Sequence, residues 1–77
     1  MKDQKINLCD RPIKSIGWLS PIEEWLEVGS RGIDQIDVQE QFCGEYSIYW
    51  FQVWKKGRIV ARYNARNVDS VLYEEII

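Results

Sequence analysis

Ile48–Tyr63 reads IYWFQVWKKGRIVARY, and the fold is decided by how this stretch is read. Tyr49, Phe51 and Val53 alternate with Ile48, Trp50, Gln52 and Trp54; beyond Lys55-Lys56-Gly57, Ile59, Ala61 and Tyr63 alternate with Arg58, Val60 and Arg62. A period of two marks strands with one buried face, so two antiparallel strands are predicted. Gly57 suits the positive φ of a G1 bulge closing a three-residue loop. That turn would set Trp54 opposite Arg58, Val53 opposite Ile59, Phe51 opposite Ala61, Trp50 opposite Arg62 and Tyr49 opposite Tyr63.

Upstream, Ile36 and Val38 alternate with Asp37 and Gln39, and a two-residue Cys43-Gly44 turn would place Val38 opposite Tyr49 and Ile36 opposite Phe51. Both hairpins then agree on one apolar face. After a polar turn near Arg66 and Asn67, Val68 to Ile76 alternates again; pairing Tyr63 with Val68 would add Leu72 and Ile76 to that face. The expectation is a four-stranded antiparallel meander over residues 33–76. Lys5 to Cys9 would supply a fifth, N-terminal edge strand or partial barrel closure.

The strongest helix signal lies earlier. Ser20, Pro21 and Glu23 form a capping box with proline at the first helical position, Ile22, Trp25 and Leu26 share one helical face, and Gly29 stands at the C-terminal cap. A short helix over 21–28, packed on the sheet through Trp25 and Leu26, makes the expected fold class α+β. The partition is one domain, 1–77, with an N-terminal segment over 1–30 and the meander over 33–76; no repeat or low-complexity tract divides it.

Composition bounds the chemistry. Seventy-seven residues, 45% hydrophobic and 29% charged, bury only about 63% of the chain's surface on folding, which disfavours a deep substrate pocket. Without histidine, no Ser-His, Cys-His or His-metal constellation can be built within the chain. Cys9 and Cys43 lack the close spacing of zinc motifs. Cys43, beside Gly44 and Glu45, has the wrong electrostatics for a nucleophile, and Gly29 to Gly32 lacks the lysine of a phosphate loop. The expectation is a protein that is not an enzyme and holds no cofactor or metal. No apolar run approaches the roughly 20 residues of a membrane span, and the first ten residues alternate charge with apolar side chains, so a reduced, cytoplasmic, membrane-free chain is expected.

Two surfaces are candidates for recognition. The second face of the sheet would carry Trp50, Trp54, Arg58, Arg62 and Tyr73, beside Ile48, Gln52, Val60 and Val71. Exposed Trp, Tyr and Arg clusters have the composition of interface hot spots. Alternatively, this face is covered, or its aromatics stack bases while Arg58, Arg62, Arg66, Lys55 and Lys56 neutralise phosphates. The other candidate is acidic. From Glu23 to Glu45 there are seven acids and one base, and Glu23, Glu24, Glu27, Asp34, Asp37 and Glu40 could dock on a basic partner. The expected function is a small binding or inhibitory module for a macromolecule, a protein partner or a second copy before single-stranded nucleic acid, with no small-molecule substrate. In class it resembles the compact accessory proteins that phages and mobile elements encode.

Overall fold

The structure is a computed structural model in which residues 12–74 are described. Two three-stranded antiparallel sheets pack face to face. The first has strand order β2-β1-β6, built from β1 (Ile13–Trp18), β2 (Glu24–Glu27) and β6 (Ser70–Tyr73); the second is a meander of β3 (Gln35–Cys43), β4 (Tyr46–Lys55) and β5 (Arg58–Asn64). A 3-10 turn over Ala65–Asn67 carries the chain from β5 back to the first sheet. Ile13 and Ile16 from one sheet and Ile36, Phe51 and Val53 from the other form a single buried cluster, closed by Ile33 from the β2–β3 loop. At one end Trp18 of β1 meets Tyr63 of β5 edge to face, with ring centroids 4.9 Å apart.

The meander is therefore three-stranded rather than four. Of its last predicted strand, Ser70–Tyr73 forms and pairs with β1, so Ile16 lies opposite Val71 and Ile13 opposite Tyr73, while Ile76 lies outside the described residues. Leu72 points outward at 50% exposure, not into the apolar face with Tyr63. Asn64 directs this departure: its carboxamide accepts from the Arg66 N–H and caps the 3-10 turn, and Asp69 N then donates to Gly17 O at 2.9 Å. The N-terminal edge strand predicted over Lys5 to Cys9 lies outside the described residues.

The predicted helix over 21–28 is also corrected. Ser20–Pro21 is a cis peptide bond, and Glu24–Glu27 is a strand paired with β1, with Trp25 opposite Gly17 and Leu26 opposite Ile16. A two-turn helix has too few internal hydrogen bonds to offset its nucleation cost, whereas a strand here satisfies its backbone on β1. Leu26 is half-buried against the core, while Trp25 lies on the outer side of its sheet across Gly17. The fold is thus mostly antiparallel β-sheet, and its only helical element among the described residues is the 3-10 turn.

In the meander, both hairpins turn on two residues. Gly44, at φ 70°, and Glu45 join β3 to β4 as a type II′ turn; Lys56, at φ 51°, and Gly57, at φ 75°, join β4 to β5 as type I′. Asp34 holds the second turn by accepting from the Lys56 N–H at 2.6 Å. The first hairpin is one residue later than the predicted Cys43-Gly44 turn, so Val38 lies opposite Phe51 and Ile36 opposite Val53. This register is displaced by two, which leaves every side chain on its expected face.

The second hairpin reaches the same parity by another route. A two-residue loop alone would reverse β5, but a bulge at Val60 restores it, giving Val53 opposite Ala61 and Phe51 opposite Tyr63. Only the segment before the bulge is reversed. Ile59 faces Trp54 at 43% exposure instead of joining the core, and Arg58 lies opposite Lys55.

A Cβ built on Gly17 would stand 2.5 Å from Trp25 Cε3, so the indole occupies the space a side chain at position 17 needs. Gly17→Ala is expected to destabilise the fold by about 1–3 kcal/mol. In urea unfolding most of that loss should disappear when the same change is made in a Trp25→Ala background.

Candidate functional site: the outer face of the meander

The face of the meander turned away from the other sheet is organised by β3. Gln35, Asp37, Gln39 and Gln41 occupy alternate positions of that strand, and each lies opposite a β4 residue of the same face: Trp54, Gln52, Trp50 and Ile48. Both indoles lean diagonally towards the β3–β4 turn. Trp54 Nε1 donates to Asp37 Oδ2 at 3.1 Å, and Trp50 Nε1 donates to Gln41 Oε1 at 2.9 Å. Gln52, only 6% exposed in the central strand, donates through Nε2 to Asp37 Oδ1 at 2.8 Å. One carboxylate thus anchors an amide and an indole, using both its oxygens.

Arg62 lies opposite Gln52 and diagonal to Trp50; its guanidinium carbon sits 4.9 Å from the Trp50 ring centroid. Trp50 is half-buried beneath it, while Arg62, Gln39 and Gln41 are exposed. Such a cation–π pair is worth about 0.5–1 kcal/mol at a surface, and it holds the Arg62 charge over the Trp50 ring. The face therefore presents two rings whose N–H groups are satisfied within the sheet.

Of the aromatic and arginine residues predicted to share a surface, the structure brings Trp50, Trp54 and Arg62 together. Trp50 is directly opposite Asn64 rather than Arg62, yet the diagonal contact is made. Arg58 is not opposite Trp54; it sits at the hairpin end beside Lys55. Tyr73 and Val71 belong to the other sheet, packed against the core. The glutamines of β3 complete the face; they were legible as the polar half of the QIDVQEQF alternation once its partner strand was fixed.

The acidic residues do not form one surface. Glu24 and Glu27 lie on β2 with Glu23 just before it, Asp34 is engaged with the Lys56 amide, and Asp37 with Gln52 and Trp54. Glu40, on the opposite face of β3, accepts from Ser47 Oγ at 2.7 Å and from Tyr49 OH at 3.4 Å. Asp34, Asp37 and Glu40 thus each hold a turn or a neighbouring strand of the meander. Cys43 is a free, half-buried thiol at the end of β3, not a turn residue.

No protein-family model, curated protein or solved structure matches this chain. Among the described residues, no helix is long and apolar enough to cross a membrane.

Asp37→Ala removes the acceptor of a buried amide and an indole together. A loss of about 1–3 kcal/mol is expected in urea unfolding, whereas Gln41→Ala, whose partner Trp50 can reach water, should cost under about 1 kcal/mol. Equal losses for the two variants would show that Asp37 does not anchor the face.

Proposed function

We propose that this chain is a non-catalytic binding module, of the small accessory or inhibitory kind, that recognises a protein in the cytoplasm through the Trp50–Arg62 face. The observation that carries the proposal is the Arg62 guanidinium placed over the Trp50 ring on a sheet face whose opposite side is already occupied by the core. Arg and Trp dominate the energetics of protein interfaces, and rings held by their own hydrogen bonds lose little entropy on binding. Gln39 and Gln41 beside them supply a polar rim with amide donors and acceptors.

A protein suits this face better than single-stranded nucleic acid. Asp37 places a carboxylate beside Trp54, where a phosphodiester would be repelled, and Arg58 and Lys55 sit together at the far hairpin end rather than along the rings. The shallow face also favours a broad macromolecular contact over a small substrate.

The test is retention of cellular proteins on the immobilised chain, compared with the Trp50→Ala and Arg62→Ala variants by quantitative mass spectrometry. A protein held by the parent chain is expected to bind each variant at least about tenfold more weakly, with circular dichroism unchanged. In parallel, titration with a dT oligonucleotide at low salt should leave tryptophan fluorescence unaltered. Salt-sensitive quenching lost in Trp50→Ala would replace the protein reading with the nucleic-acid one.

A further inference from the structure

The sheet edges of this molecule are not equally protected. β2 and β6 are four residues long, and β5 carries the Val60 bulge and two arginines. β3 is different: nine residues, paired with β4 in unbroken register, with no proline, lysine or bulge, and among the described residues no strand pairs with its outer side. Natural edges are normally blunted by such devices, and a long, regular edge is a template for another strand; the two charges β3 does carry, Asp37 and Glu40, are engaged with β4 side chains, Gln52 and Trp54 for the first and Ser47 and Tyr49 for the second.

The groups on offer follow from the turn. A two-residue hairpin makes Cys43 and Tyr46 a hydrogen-bonded pair, so alternation turns the N–H and C=O of Phe42, Glu40 and Val38 away from β4. Phe42 has core parity yet lies beyond the core, 77% exposed.

We propose that the outer edge of β3 pairs antiparallel with β3 of a second copy, about a two-fold axis at Gln39, joining two meanders into one six-stranded sheet. The sequence of the strand selects this occupant. In that register Gln39 faces itself, Asp37 faces Gln41, Val38 faces Glu40, and Ile36 faces Phe42. No two like charges are opposed, and each exposed Phe42 ring is laid against the edge of the other copy's core at Ile36, 3% exposed. Shifting the axis to Glu40 would oppose two carboxylates. The inference does not rest on the reading of the Trp50–Arg62 face.

Sedimentation velocity of the full chain, from about 1 to 500 µM, tests it. The parent is expected to approach twice the 9.2 kDa chain mass with rising concentration. Gln39→Lys, which opposes two ammonium groups at the axis, should weaken the dimer about tenfold or more, and an equimolar mixture of Gln39→Lys with Gln39→Glu should restore it. Phe42→Lys, at a side chain outside the core, should also weaken association, while Arg62→Ala should leave it unchanged. A monomer at every concentration would overturn the proposal, as would a dimer indifferent to Gln39→Lys, or one lost in Arg62→Ala and kept in Gln39→Lys.

Discussion

Phe51 and Val53 share a core with Ile16 only if β4 and both its neighbours keep one parity along their length, because a strand has two faces and a slip of one residue exchanges them. Three backbone features hold that parity: the II′ turn at Gly44-Glu45, the I′ turn at Lys56-Gly57, and the bulge at Val60. The last two are complementary. A tight turn fixes the hairpin end with a twist matching the strands, and the extra residue then returns Ala61 and Tyr63 to the core.

The outer face depends on the same arrangement. Asp37 reaches Gln52 because they are directly opposed, and reaches Trp54 because right-handed twist brings diagonal neighbours on one face together. A glutamine in the central strand, flanked on both sides by other strands, has little access to water, so its amide requires a protein acceptor. The polar network is thus a structural requirement first, and its by-product is a set of rings with fixed positions. Rings held by their own hydrogen bonds lose little entropy on binding, which supports the recognition role proposed for this face.

Much of this was legible in the residues. The alternation around Phe51 and Ile59 identified β4 and β5, and glycine marked both turns. The faces read from alternation are those observed because the register differs by two residues at Cys43-Gly44, and because the Val60 bulge compensates at Gly57. What periodicity does not carry is which residue a bulge inserts, so Arg58 and Ile59 exchanged faces. The segment Pro21 to Val28 is ambiguous for a physical reason: Leu26 and Val28 inward with Trp25 and Glu27 outward satisfies a period of two, while Ile22, Trp25 and Leu26 satisfy a helix. The decision belonged to β1, whose backbone offered a ladder and whose glycine offered room for an indole. Tyr73 joins the other sheet, against its periodic pattern, because the Asn64 cap, a local hydrogen bond with no periodic signature, redirects the chain after β5.

The fit of Trp25 over Gly17 also constrains how this sequence can drift. Once a bulky ring has occupied the vacancy above a glycine, the small residue becomes hostage to the large one: the ring can shrink and leave a gap, but the glycine grows only by displacing the ring. Substitutions at these two positions are therefore cheaper in one order than in the other. The pair works as a ratchet, recording in two residues which of them costs less to change first.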